Sequence, residues 1–157
     1  MLVIASSCAS SGNIDSASHR QHQLVEARDL SADAALARRG KMPIMLLVSQ
    51  DHCPFCDQIK REILNPMIVS GEYRDRLLIR EIFIDLGTRV RDFKGSEIDS
   101  SSFTQQYQVY LTPTLLFLDS DGNELVERMV GIQTPEMFFY YVDRSVQEAI
   151  AAFPGKD

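Results

Sequence analysis

Met45-Leu46-Leu47-Val48-Ser49 is followed, after Gln50-Asp51-His52, by Cys53-Pro54-Phe55-Cys56 and then by Asp57-Gln58-Ile59-Lys60-Arg61-Glu62-Ile63-Leu64. The first run is apolar and of strand length. The last has helical spacing, with Phe55, Ile59 and Ile63 on one stripe. Cys53 is therefore expected at a helix N-terminus, where free N–H groups and the positive end of the dipole favour an anion. A thiolate there is stabilised and its pKa lowered. Cys56 falls one turn on, on the same face, where it can attack a mixed disulfide formed at Cys53. That is the geometry of thiol–disulfide exchange.

Two other readings of the pair stand beside this one. A CxxC is also half of a zinc site, which needs about four Cys or His ligands. The remaining candidates are Cys8, His19, His22 and His52, and none has the spacing of a second pair. Two buried cysteines can also pack simply as small apolar side chains.

The chain has 157 residues, 45% apolar and 24% charged, with a net charge of −6 and no Trp. This suits one soluble domain with a real core. The acidic balance argues against nucleic acid and anionic membrane as partners, and no apolar run is long enough to span a bilayer. Met1-Leu2-Val3-Ile4-Ala5-Ser6-Ser7-Cys8 lacks a charged leading region but reads like the tail of a signal peptide, with small residues before Cys8 as in a bacterial lipoprotein signal. Two readings stay open, a lipid anchor at Cys8 or an unremarkable N-terminal arm; the location expected is the cell envelope or periplasm, with a cytoplasmic one as the alternative. Residues 9–23 are Ser-rich without apolar periodicity and read as a tether. The domain organisation expected is thus 1–23 leader remnant and tether, 24–157 globular domain.

Within that domain, Leu30, Ala34, Leu36 and Ala37 predict a helix capped by Ser31 and ending near Gly40. The helix after Cys53 is expected to stop near Asn65, because Pro66 cannot continue its hydrogen bonding, and a second short helix to run to Gly71. Leu77–Asp85 has apolar residues on both faces, the mark of a central strand. Residues 86–101 read as a polar connection, and Phe103–Tyr107 as one short helix. Thr114–Leu118 reads as a buried strand, Asp119–Asn123 as a hairpin turn, and Leu125–Val130 as the returning antiparallel strand. Thr134-Pro135 opens a long final helix with Phe138, Tyr141, Val142, Val146, Ala149 and Phe153 on its apolar face. The order implies a βαβ half joined to a ββα half.

These residues carry a resemblance. Cys53-Pro54-Phe55-Cys56, the run from Tyr107 through Thr112-Pro113-Thr114 to Phe117, Asp121-Gly122-Asn123-Glu124 and Val130-Gly131 together resemble the thioredoxin superfamily over residues 43–152. The inserted Phe93-Lys94-Gly95 loop is similar to periplasmic thioredoxin-like proteins of the SoxW and Dsb-related kind. The resemblance implies an α/β thioredoxin fold, with a central mixed sheet of about four strands and helices on both faces. It implies a cis bond between Thr112 and Pro113, facing the cysteines across a substrate groove, and Gly131 as the other wall. Pro54, Phe55, Thr112, Pro113, Val130 and Gly131 become the substrate-binding set. One departure is informative. Where thioredoxins carry a buried Asp six residues before the first cysteine, this chain has Leu47. Where they carry a Lys on the neighbouring strand, it has Glu81. Glu81 is therefore either the buried carboxylate that accepts the Cys56 proton or an exposed strand residue.

The function expected is a thiol–disulfide oxidoreductase, with Cys53, Cys56 and Glu81 catalytic, no metal and no organic cofactor. Its partners are protein or peptide disulfides and a redox partner protein. Reduction is the favoured direction, with isomerase and oxidase behind it, since Thr112 before the proline resembles reductases and isomerases. His52, when protonated, would stabilise the thiolate and pull toward oxidation. The alternative of another class is a non-catalytic peptide-binding module, or a metal chaperone using Cys53, Cys56 and His52.

Overall fold

The computed structural model describes residues 23–155; the tether, Cys8, His19 and His22 lie outside them. A mixed five-stranded sheet forms the middle layer, in the order β1 (Val25–Glu26), β3 (Leu78–Phe83), β2 (Ile44–Ser49), β6 (Thr114–Leu118), β7 (Met129–Val130). β1 and β2 run parallel to β3, while β6 is antiparallel to β2 and β7 to β6. The sheet thus has the expected mixed character with one strand more than expected. β1 contributes only two residues, too few to show a period of two.

Alternation along the strands divides the core into two layers. Met45, Leu47, Leu115 and Phe117 face α2 (Pro54–Ile59), α3 (Asn65–Ser70) and α5 (Phe138–Ala152). Ile44, Leu46, Val48, Leu116 and Leu118 face α1 (Leu30–Gly40) and α4 (Ser100–Gln106). Every residue of β2 and β6 is buried, as strands covered on both faces require.

Several elements differ from expectation. The α1 cap is Asp29, whose carboxylate accepts from the Ala32 N–H at 2.9 Å, while Ser31 donates its hydroxyl to the same oxygen. The helix after Cys53 does not break at Pro66. Lys60–Leu64 widens into a π turn, with the Asn65 N–H donating to the Lys60 carbonyl, and α3 follows directly. The wide turn absorbs the register fault of a residue without an N–H. Within residues 86–101 the chain forms a small hairpin, β4 (Arg89–Arg91) with β5 (Glu97–Asp99). Its turn is held by Asp92 Oδ1, which accepts from the N–H groups of Lys94 and Ser96. The strand expected over Leu125–Val130 pairs in a ladder only at Met129–Val130. Before it, the Arg128 guanidinium leaves the strand path to reach the Tyr107 carbonyl at 2.6 Å and the Glu124 carboxylate. The last helix is preceded by a 3-10 turn at Pro135–Met137. Phe138, Val142, Val146, Ala149 and Phe153 are buried as expected, whereas Tyr141 is exposed.

Candidate active site

The cysteine pair stands at the C-terminal end of β2, where the parallel half of the sheet delivers the chain into α2. Asp85, just past β3, holds this turn: both its carboxylate oxygens accept from the Asp51 N–H, at 3.0 and 3.1 Å. His52 takes a left-handed conformation, φ 51°. Its imidazole is solvent-exposed and lies 3.3 Å from the Asp51 carboxylate.

Cys53 is the N-cap of α2. Its Sγ accepts from the Cys56 N–H at 3.2 Å, and Pro54, which has no N–H to leave unpaired, occupies the first turn. The two sulfurs are joined in a disulfide. Cys53 keeps 8% of its surface and Cys56 none, so of the two residues only Cys53 reaches solvent. Phe55 does not join the Ile59 and Ile63 stripe. It is 62% exposed.

Opposite Cys53 lies the β6 entry. The Thr112–Pro113 peptide is cis, and the Thr112 hydroxyl lies 3.7 Å from Cys53 Sγ while donating to Gln50 Oε1 at 2.9 Å. The Gly131 N–H donates to the Pro113 carbonyl at 2.8 Å, and Val130 pairs with Thr114. Thr112, Pro113, Val130 and Gly131 are thereby assembled around one end of the β6–β7 pair. Beyond Val130 and Gly131 a groove of about 460 Å³ runs between β7 and α5. Tyr110 and Leu111, just before Thr112, are exposed apolar side chains like Phe55.

Glu81 is buried, 7% exposed. It pairs in register with Leu47, so both side chains lie on the face covered by α2. Glu81 Oε1 accepts from the Ser49 hydroxyl at 2.7 Å and lies 3.2 Å from Lys60 Nζ. Lys60 also reaches Asp57 Oδ1 at 3.1 Å and sits over the Phe83 ring. Burial of the ammonium pulls its pKa down, but the bonds to Asp57 and Glu81 outweigh that and hold it above the ordinary lysine value. Ser49, Gln50, Lys60 and Asp85 were not singled out from sequence. For Lys60 a signal existed: it stands four residues after Cys56, one helical turn on the same side. Among the described residues no three His, Cys, Asp or Glu side chains converge as a metal-binding group, and no helix is long and apolar enough to cross a membrane.

Residues 30–145 match a family model described as a thioredoxin-like domain. The chain belongs to the thioredoxin-like family. By sequence, this thioredoxin-like protein is similar to the thiol:disulfide interchange protein DsbD of Yersinia pestis, 23% identical over 113 residues. The match takes in 71% of this chain and 17% of that protein, so the chain corresponds to a small part of that relative. Among solved structures, DsbH oxidoreductase superposes with a TM-score of 0.57 at 19% identity, covering 90% of this chain and 95% of that one. Mitochondrial thioredoxin 3 of Saccharomyces cerevisiae, in its oxidised form, gives 0.54 at 14%, covering 80% and 94%. At such identities the structural likeness speaks for the fold. On this fold the CxxC pair stands at the head of α2, with its two sulfurs within bonding distance of each other.

Proposed function

We propose that the protein reduces disulfide bonds in proteins or peptides, with Cys53 as nucleophile, Cys56 as resolving thiol and Glu81 as the acceptor of the Cys56 proton. The carrying observation is the buried Glu81 carboxylate on the α2 face of the sheet, held by Ser49 and Lys60. In the dithiol form the Cys53 thiolate attacks one substrate sulfur, forming a mixed disulfide and expelling the other as a thiolate. Cys56 then gives its proton to Glu81 and attacks Cys53 Sγ, closing the internal disulfide and releasing the second substrate thiolate. The substrate gains two electrons and the protein loses two, which a dithiol partner protein must restore. Incoming backbone is expected to pair at Thr112 and Val130, with Pro54, Phe55 and Gly131 bounding the groove. The electrons reside in the cysteines, so the cycle calls for no organic cofactor.

Equilibration with glutathione tests the direction. A potential near thioredoxin's, about −270 mV, is expected; one near −120 mV would make the protein an oxidant, and intermediate values an isomerase. Cys56→Ser should accumulate substrates as mixed disulfides on Cys53. Failure to trap any protein, with full turnover retained, would end the dithiol reading.

The likeness to a thiol:disulfide interchange protein and the small residues before Cys8 support an envelope location, with 1–23 as leader remnant and tether for a domain over 24–157. Fractionation tests this: the native chain is expected with the envelope, and Cys8→Ser released from the membrane fraction.

A further inference from the structure

The Thr112 hydroxyl stands between two acceptors. It donates to Gln50 Oε1 at 2.9 Å, and Cys53 Sγ lies 3.7 Å from the same oxygen. A hydroxyl has one proton to give, so it cannot serve both at once. In the disulfide form Cys53 Sγ is neutral and a weak acceptor, and Gln50 takes the proton. Reduction turns that sulfur into a thiolate, for which a hydroxyl donor would be a strong stabiliser.

We propose that Gln50 is a positioning residue that keeps the cysteine pair reducing by withholding the Thr112 proton from the Cys53 thiolate. This rests on the assignment of Cys53 as the nucleophile. A thiolate served by the Cys56 N–H alone, without the second donor that the Thr112 hydroxyl would add, is less stable relative to the disulfide, so the dithiol gives up its two electrons more readily. Both sides of the contact are anchored. Gln50 directly follows Ser49, the last residue of β2, whose hydroxyl is tied to Glu81. Thr112 is flanked by Pro113, whose carbonyl receives the Gly131 N–H, and by Leu111, whose carbonyl receives the Thr114 hydroxyl at 2.8 Å. The charged groups of this end are engaged elsewhere: His52 with Asp51, Asp85 with the Asp51 N–H, and Lys60 with Asp57 and Glu81. Gln50 is thus the partner that the structure gives to the Thr112 proton.

The test uses the full chain, with two measurements: the pH dependence of Cys53 alkylation in the reduced protein, and the equilibrium constant for exchange with glutathione. Gln50→Ala should free the hydroxyl for the thiolate. The Cys53 pKa should fall by roughly half a unit to one unit, the net scale of one ordinary hydrogen bond, since the Thr112 oxygen stands 3.7 Å from the sulfur. The exchange equilibrium should move roughly threefold to tenfold toward the dithiol, which is about 15–30 mV more oxidising for a two-electron couple. Gln50→Glu, a stronger acceptor, should move both the other way. In a Thr112→Val background Gln50→Ala should change neither quantity, whereas in Thr112→Ser, which keeps the hydroxyl, the Gln50 effect should survive. An unchanged Gln50→Ala, or an equal shift without the Thr112 hydroxyl, overturns the assignment. Turnover of a protein disulfide is scored separately in the unmodified chain. Its absence with the shifts intact would remove the reductase reading and leave Gln50 in its role; turnover without the shifts would do the reverse.

Discussion

Leu47 and Glu81 are direct partners across the parallel pair of β2 and β3. Neighbours in register point to the same side of a sheet, so the carboxylate of Glu81 enters the α2 face at the level where thioredoxins carry an acid on β2. The counter-charge of Glu81, Lys60, descends from the helix instead of rising from the sheet. A buried carboxylate with an ammonium and a hydroxyl on it satisfies the rule that buried charge be paired and hydrogen-bonded.

This arrangement makes Glu81→Gln the direct test of the proton acceptor. The variant keeps the shape and removes the titrating group. Mixed-disulfide formation at Cys53 should proceed as before, and its resolution by Cys56 should slow at least about tenfold near neutral pH, at or below the usual scale of a general base because water can substitute. Rapid quenching of the mixed disulfide reads the two steps separately. Unchanged resolution would leave water as the acceptor.

Lys60→Met should cost about 2 kcal/mol, less than the ~3–5 kcal/mol of breaking a fully buried pair, because the Lys60 side chain retains some solvent contact. The pH dependence has a definite sign. The Lys60 pKa is raised in the folded protein, so its contribution is complete below the ordinary lysine value of about 10.4 and is lost as pH rises through the folded value. Urea unfolding at pH 8 and above pH 11 should therefore show the variant and the unmodified protein converging at the higher pH.

In the reduced protein at mildly acidic pH, iodoacetamide should label Cys53 before Cys56 by at least about tenfold, since thiolate fraction and access set the rate. The difference in exposure, 8% against none, points the same way as the helix N-terminus. Peptide mapping after brief alkylation decides it, and preferential labelling of Cys56 would exchange the two roles.

Gly122→Ala should destabilise the protein by about 2–4 kcal/mol. A Cβ there would lie 2.7 Å from both Phe93 Cδ2 and Tyr107 Oη, and the residue has φ 85°. Overpacking and left-handed strain add. The urea midpoint should fall with its slope unchanged.

What sequence reading could reach followed from periodicity and from local chemistry. The strand–CxxC–helix junction, the buried β6 run and the Thr112-Pro113 corner are each contained in a few adjacent residues. What it missed depends on register or on competition between equivalent groups. Glu81 could be read as exposed or buried until its pairing with Leu47 placed it. Asp29 and Ser31 are both good caps, and only the geometry chooses Asp29. Leu125–Val130 follows a hairpin turn as a returning strand would, yet Arg128 finds partners off the ladder at Tyr107 and Glu124. Gln50 and Thr112 are 62 positions apart, and no local pattern joins them.

The two outermost strands of the sheet, Val25–Glu26 and Met129–Val130, are each two residues long. An approaching chain that tried to extend the sheet along either flank would find only one or two free backbone groups before the ladder ended. The cooperative, row-by-row growth that turns exposed flanks into fibrils therefore has almost no template here. Among the described residues, the flanks of the sheet thus offer little purchase to strand-on-strand pairing between copies of the chain.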